Sequence, residues 1–443
     1  MSAFSNKLDL EQMRQQFDSA PYPRIPPEQT PNNAYNDLFV HNMVTPYYLR
    51  DRQVIDPTDK LILDAGCGTG YKALTLAIAN PGAKIIGIDL SEKSVELAKK
   101  RLEFHKFDNV EFRAMSIYDL PELGMQFDYI NCDEVVYLLP DPLGGMQAMQ
   151  AVLKPTGILR TNLHSGLQRQ PFYRAQEFFG MLGLMEEAPT DEHRQMVVET
   201  MKNMRANVDL KMRGWNARME TVDGTEEIFA NYLLAGDRGF SVPEIFELME
   251  ASNLEFLSMV NWRHWNLQDL FRNMEELPGV VGMGISMASP GEQLHLFELL
   301  HPGHRLYDFW CSHSDAPEPA SPIDTWSEDD WQGATIHLHP QLRIEEAKDR
   351  LFWSLNNQQP FDFAQILSLP TKAPIPIDGT VAATLLPLWD KPLPLKELAQ
   401  RYKTISPVNL TTLEALTDDD AFEAMKKVVT YLEPFLYLMP ERN

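Results

Sequence analysis

Cysteine is scarce: Cys67, Cys132 and Cys311 are the only three in 443 residues. Three widely spaced thiols build neither a disulfide framework nor a zinc site, and their rarity fits a reduced cytoplasm. Long apolar runs are missing too. No stretch approaches the ~18 unbroken apolar residues that a membrane helix needs, and the opening MSAFSNKLDLEQMRQQF holds no apolar secretion core. Cations are few: 39 Lys and Arg stand against 63 Asp and Glu, a net charge of −24. Such a surface repels phosphate backbones, and no basic cluster with interleaved aromatics offsets it. Neither nucleic acid nor membrane is expected as a partner.

A 44% hydrophobic fraction and a length of 443 residues suit two or three globular units. Residues 1–55, with APYPRIPPEQTPNNAYNDLF, read as ordered loop and short helix. From Lys60 the pattern changes. Leu61–Leu63 is a short apolar run, and Tyr71–Ala79 reads as a helix with Leu74, Ala77 and Ile78 on one face. Ile85, Ile86 and Ile88 make a second run that ends at Asp89. Ser91 suits the cap of a helix in which Val95, Ala98 and Leu102 recur at helical spacing. NVEFRAM, FDYINC and TGILRTNLH follow as strands, with PLGGMQAMQAVLK as a helix before the last of these. Apolar strands alternating with amphipathic helices predict a parallel sheet covered on both faces. Sixth and seventh strands are expected near NLEFLSM and HRLYDFWCS.

The expected organisation is an N-terminal lid segment over 1–55 and an α/β domain over 56–312 with helical insertions at about 185–240 and 263–300. An acidic, Pro-rich linker over 313–330 and an accessory domain over 331–443 complete it.

LILDAGCGTGYKA, Leu61 to Ala73, places Gly66, Gly68 and Gly70 between the first strand and the first helix. Ligands in such sheets sit beyond the carboxyl ends of the strands, and glycine lets backbone approach them. A dinucleotide loop needs its third small residue at the sixth position, where Tyr71 stands. No Gly-Lys-Ser/Thr follows, so a P-loop is excluded as well. Asp64 at the mouth would repel a pyrophosphate but attract a cation. S-adenosylmethionine carries a sulfonium and an ammonium and no phosphate. Asp89, 25 positions after Asp64, can accept both ribose hydroxyls. The plainer alternative is a tight turn with Asp89 as a helix cap.

With LDAGCGTG, IIGIDLS, NVEFRAMSIYDLPE, FDYINCDEVVYLLPDP and AVLKPTGIL, the chain resembles class I S-adenosylmethionine-dependent methyltransferases. The resemblance is close over Lys60 to Arg160 and looser to about Ser312. NLHSGLQRQPFYRAQ and FSVPEIFELMEASNLEFL resemble a subgroup often found beside repeat or regulatory domains, whose acceptors are mostly undefined. The resemblance implies a doubly wound, mainly parallel, seven-stranded Rossmann-like sheet. It also implies S-adenosyl-L-methionine as cofactor, held by Asp64, Gly66, Cys67, Gly68, Gly70, Asp89, Leu90, Ser116, Ile117 and Cys132. Ser116 stands where the family usually has Asp, a weaker acceptor for the adenine amino group. Lys-Pro-Thr-Gly replaces the usual Lys-Pro-Gly-Gly and affects only a turn.

Methyl transfer from a sulfonium is an in-line displacement, so the protein mainly aligns a nucleophile and excludes water. A base is needed only if the nucleophile must lose a proton. Asp133, Glu134, Tyr137 and His164 follow the fourth and fifth strands. His164 is the first choice, because it titrates near neutrality, with Glu134 and Tyr137 beside it. A purely structural His164, bonded to a neighbouring loop, is the alternative. Cys67 and Cys132 read as small packing residues rather than nucleophiles. Tyr22, Tyr35 and Phe39 are expected to line the site if the N-terminal segment folds over it. HPGH at His301–His304 and HLH at His337–His339 lack a third ligand nearby, so no metal is expected. HLH reads as a strand with both imidazoles on one side.

The C-terminal helices suggest a small α+β, winged-helix-like domain that docks protein or forms a homo-oligomer. The expected activity is methyl transfer to an unidentified acceptor, tilted toward a protein side chain. A small-molecule acceptor, or a non-catalytic scaffold of the same fold, is the alternative.

Overall fold

The computed structural model describes residues 9–19, 21–186, 189–221, 224–409 and 411–442. Positions 1–8 and 20 of the expected lid segment, positions 187–188 and 222–223 of the first insertion, and positions 410 and 443 of the accessory domain lie outside the described residues.

Five strands run parallel at the centre: β1 (Leu61–Ala65), β2 (Lys84–Asp89), β3 (Val110–Ala114), β4 (Phe127–Cys132) and β5 (Leu153–Ser165). With β6 (Gly239–Phe240), β7 (Leu254–Met259) and β8 (Leu306–His313) they form one sheet. Its order is β3-β2-β1-β4-β5-β8-β7, and β6 pairs with the end of β5. Only β8 runs against its neighbours. The seven expected strands are present. The eighth, β6, is two residues long, too short for a period of 2 to reveal.

β1 is apolar apart from Asp64 because both its faces are covered. Ile62 shares a core with Val40, Met43, Tyr47 and Trp310, whereas Leu63 and Ala65 pack with Ile130, Met149 and Phe309 on the opposite face. The helices that matter for the site are α1 (Leu10–Ser19), α2 (Tyr35–His41), α3 (Val44–Asp51), α4 (Tyr71–Ala79), α5 (Glu92–Phe104) and α6 (Pro142–Val152). Ser91 caps α5 by accepting the Ser94 N–H at 3.0 Å.

The N-terminal segment divides. α1 and the strap at 21–28 lie over the carboxyl ends of the strands. α2 and α3 instead join the sheet to the C-terminal domain: Phe39, Val44 and Tyr48 share a core with Trp331, Leu338, Phe363 and Leu438. Tyr35 donates to Glu346, and the Phe39 ring lies 4.6 Å from that of His339. These two aromatics therefore do not face the cofactor region, because the C-terminal domain offers them a larger apolar surface.

That domain holds a three-stranded antiparallel sheet, with Thr335–Leu338 between Leu393–Pro394 and Leu438–Glu441, and helices at Gly379–Leu385, Leu395–Ile405 and Asp418–Leu432. The stretch expected to be a linker is packed into it: Ile323 and Trp326 are buried in its core, with Trp326 against Trp331 of the accessory domain. His337 and His339 take different partners, Glu441 and Thr45, because the strand ends at Leu338.

Gly70 has φ of 81°, and a Cβ there would lie 2.8 Å from both Cα and Cβ of Ala98 on α5. The close helix approach that the loop seemed to lack is made by Gly70, one position early. Gly70→Ala combines a left-handed backbone with a clash and should cost about 3 kcal/mol of stability. Urea unfolding followed by circular dichroism measures this; a change below about 0.5 kcal/mol would be inconsistent with the packing described.

Candidate active site

A cavity of about 410 Å³ opens beyond the carboxyl ends of β1, β2 and β4, the position expected of a ligand site in an open α/β sheet. Its floor is the glycine loop, with Gly66, Cys67 and Gly68. Asp89 and Leu90 form one wall, Met115, Ser116 and Ile117 another, and Leu10, Met13 and Phe17 of α1 the roof.

The loop's conformation follows from its glycines. Gly66, Gly68 and Gly70 have φ of 82°, 49° and 81°, all in the left-handed region. The N–H groups of Gly66 and Cys67 donate to the Ile88 carbonyl, both at 2.8 Å, which fixes the loop to β2. Asp89 accepts from Gly68 N–H and Ser91 N–H, both at 2.9 Å. Burial holds its carboxyl above the usual range, against those two bonds.

A strap crosses this loop. A Cβ at Gly68 would lie 2.2 Å from the Tyr22 carbonyl oxygen, so glycine is required here for strap closure as much as for ligand approach. Thr69 N–H donates to that carbonyl at 3.0 Å, and its hydroxyl donates to the Pro23 carbonyl at 2.7 Å. Arg101 of α5 is buried. It donates to the carbonyls of Thr69, Pro26 and Ile25 at 2.9, 2.9 and 2.6 Å, tying loop and strap together. Ser91 adds a bond to Asp18 of α1 at 2.7 Å.

Of the residues expected to hold the cofactor, Gly66, Cys67, Gly68, Asp89, Leu90, Ser116 and Ile117 line the cavity. Asp64, Gly70 and Cys132 lie behind its wall. Asp64 accepts from Asn131 at 2.8 Å through one oxygen; the other is buried with no protein partner. Burial raises its carboxyl to about 7. Burial likewise pushes the Cys67 and Cys132 thiols up, so both stay protonated and act as packing groups. Ser116 accepts the Tyr118 N–H at 3.3 Å, which leaves its hydroxyl proton for a ligand.

A charge network lines part of the cavity. Asp133 meets Lys72 at 3.2 Å and Arg160 at 3.5 Å, and accepts from Asn162. Burial would raise its carboxyl, but the two cations hold it well below the usual range. Arg160 also donates to both oxygens of Asp308, at 3.0 and 2.7 Å, and to Asn131 at 2.8 Å.

Glu134 stands at the cavity's far end, with φ of 59°. Its N–H donates to Asn162 at 2.7 Å, and its carboxylate accepts from Tyr137 at 3.1 Å and from both terminal nitrogens of Arg305. Burial opposes its charge, but Arg305 outweighs that and lowers its pKa. His164 does not line the cavity. It is buried and stacked on Tyr137 with ring centroids 3.7 Å apart; Nδ1 is 2.6 Å from Asp237, and Nε2 faces the Arg305 guanidinium at 3.1 Å. Because Arg305 can only donate, Nε2 accepts and Nδ1–H donates to Asp237. Burial keeps the imidazole below its usual pKa despite Asp237.

A second, narrow compartment of about 100 Å³ adjoins the cavity and shares Phe17, Tyr22, Glu134 and Leu138 with it. Its other walls are Gln16 and Arg24 from the N-terminal segment, Tyr137, and from the helical insertion Pro189, Glu226, Phe229, Ala230, Leu233 and Leu234. Nothing in the local pattern marks Arg101, Arg160, Asp237 or Arg305. Their partners lie as far as 171 positions away, beyond any local spacing rule.

Asp89→Ala should weaken S-adenosylhomocysteine binding by about 30- to 100-fold, the worth of one to two charge-assisted bonds. Calorimetry measures it; a change under about threefold would remove Asp89 from the ligand contacts. Arg101→Ala should speed dissociation of the same ligand by about tenfold, with Arg101→Lys intermediate, as a latch predicts. Unchanged stopped-flow dissociation would mean that the strap does not gate the cavity.

Comparison with known proteins agrees with this geometry. Residues 58–227 match the family described as a methyltransferase domain. An uncharacterized protein, syc1184_c, of Synechococcus sp. is 28% identical over 330 residues, 73% of this chain and 75% of its own length. A ubiquinone biosynthesis O-methyltransferase of Actinobacillus pleuropneumoniae is 31% identical over 134 residues, 29% of this chain and 56% of that enzyme. Among solved structures, PKMT2 from Rickettsia typhi in complex with AdoHcy superposes with a TM-score of 0.60 at 19% identity, covering 96% of this chain and 78% of that one. That likeness is one of fold. Fold, glycine loop and matched domain agree: residues 58–227 carry a methyltransferase domain of the S-adenosylmethionine-dependent kind, with S-adenosylmethionine as its cofactor.

Proposed function

We propose that the chain transfers a methyl group from S-adenosylmethionine to a side chain of another protein. The observation that carries this reading is the size of the second compartment. The main cavity, at about 410 Å³, falls within the ~300–1,000 Å³ usual for small-molecule and cofactor sites. The compartment beyond Glu134, at about 100 Å³, falls well below it. It suits a single extended side chain offered from outside better than a whole metabolite.

The protein supplies alignment and exclusion of water rather than elaborate chemistry. α1 and the strap roof the main cavity. Asp89 and Ser116 face the cofactor's ribose and adenine, while the bare backbone at Gly66 and Gly68 faces its methionine part. Bound there, the cofactor supplies an activated methyl group. Glu134, Tyr22 and Leu138 stand where the two compartments meet, so an acceptor atom reaches the methyl group past them. The C-terminal domain is proposed as a docking or self-association module, with the methyltransferase fold acting as the catalytic unit.

Purified full-length protein, incubated with methyl-tritiated S-adenosylmethionine and a lysate from cells lacking it, tests the proposal. Label retained with precipitated protein is expected. Label that passes entirely into the small-molecule filtrate overturns the protein-acceptor reading, and a metabolite then takes its place.

A further inference from the structure

We propose that Arg24 is a positioning residue that joins the two compartments. It holds the insertion helix Thr225–Asn231 against the strap, so that the wall of the second compartment is in place only while the strap lies over the cofactor cavity. This rests on the methyl-transfer reading of the two compartments and holds whatever the chemistry of the acceptor.

The strap faces two ways. Its main chain is committed to the cofactor side: the carbonyls of Tyr22 and Pro23 accept from Thr69, and those of Ile25 and Pro26 accept from Arg101. Tyr22, Pro23 and Ile25 line the cofactor cavity. The Arg24 side chain reaches the other way. Its Nε lies 3.4 Å from Glu226, and its guanidinium carbon lies 5.2 Å from the centre of the Phe229 ring. Glu226 and Phe229 are three positions apart, so they share a face of the insertion helix. Arg24, Glu226 and Phe229 all line the second compartment, and none of them lines the cofactor cavity.

The insertion helix is gripped differently at its two ends. At the carboxyl end, the buried Arg169 donates to Asn231 at 2.8 Å and to the Ala230 carbonyl at 3.1 Å. Gln176 adds a bond to the Asn231 carbonyl at 3.0 Å. At the amino end, Arg24 and Glu226 meet near solvent, with side chains 42% and 39% exposed. Asn216 and Arg218 reach Glu227 there, but both belong to the insertion itself. One buried anchor and one exposed pair make a hinged wall.

The strength of the pair suits that role. An exposed ion pair with a ring against its guanidinium is worth about a fivefold shift in an open–closed equilibrium. That biases the wall without locking it. Burial raises the Glu226 carboxyl and Arg24 opposes this, so the carboxylate gains from the contact.

An order of events follows. Admitting the cofactor requires the strap to lift, and lifting it withdraws Arg24 from Glu226 and Phe229. Closing the strap over a filled cavity returns Arg24 and completes the second compartment. The acceptor is therefore received after the cofactor, and the thioether product leaves last.

Hydrogen–deuterium exchange of the full chain, with and without saturating S-adenosylhomocysteine, tests this. In the wild type the ligand should slow exchange over both 21–28 and Thr225–Asn231. Glu226→Ala should keep the slowing over 21–28 and lose about fivefold of it over Thr225–Asn231. Arg24→Ala should lose the same amount over the helix, and Arg24→Lys, which keeps the charge without the stacked plane, should fall between. Exchanging the charges, Arg24→Glu with Glu226→Arg, should recover part of the loss, which a merely structural role would not. A helix indifferent to the ligand in the wild type overturns the coupling. So does equal slowing in the wild type and Glu226→Ala, or a charge exchange no better than the single variants. A ligand that fails to bind and slows exchange nowhere strikes the cofactor reading as well. Tritium passing to the small-molecule filtrate changes the acceptor and leaves this coupling standing.

Discussion

Arg160 is a full positive charge placed where the sheet is otherwise apolar. It leaves β5 almost wholly buried and is met by Asp308 on β8, Asn131 on β4, Asp133 just after β4, and His41 on α2. A buried guanidinium without partners would cost several kcal/mol, so every element that reaches it is held in register. Asn131 passes the constraint to Asp64 on β1. His41 accepts from Arg160 at 3.1 Å, and burial keeps its imidazole neutral, with a pKa of about 4. One charge thereby fixes the relative positions of four strands, a helix and the turn that carries Asp133 and Glu134.

That turn decides what the site can do. Asp133 is drawn down toward Lys72 and Arg160, while Glu134, one residue later, is turned away by its left-handed backbone and captured by Arg305. Two adjacent carboxylates would repel each other if both faced the cavity without compensation. Each is instead given its own cation, and both remain ionised in a largely desolvated place. Asp237 and Arg169 do the same for His164. Arg169 lies 2.6 Å from Asp237, so the imidazole sits beside an already neutralised carboxylate. His164 is thus part of the wall behind Tyr137, and the carboxylate that lines both compartments is Glu134.

The central fold was legible because its signals are local. β4 and α4 follow the apolar pattern over FDYINC and Tyr71–Ala79 without a shift, and the glycine loop with Asp89 marked the cofactor side. Residues that act through contact at a distance were hidden. Arg101 looks like one more cation on an amphipathic helix, yet it is buried and bridges loop and strap. The two-residue β6 has no period to detect. The stretch 313–330 misled for a physical reason: acidic and proline-rich composition describes a solvated chain, but Ile323 and Trp326 hold enough apolar surface to dock it. Tyr35 and Phe39 were misplaced in the same way, since aromatic content shows that a segment will pack, not against what.

The two ends of the proposed reaction have separate origins in the chain. The loop, Asp89, Ser116 and Glu134 all lie within residues 58–227, and they suffice to build the floor and walls of the cofactor cavity. What closes the site comes largely from outside that span: Phe17 and Tyr22 from the N-terminal roof, Phe229, Leu233 and Leu234 from the insertion, and Arg305 from the head of β8. Phe229, Leu233 and Leu234 line the second compartment alone, whereas Phe17 and Tyr22 line both it and the cofactor cavity. Likeness over the central span therefore speaks for the donor, and the acceptor must be read from the elements that fold over it.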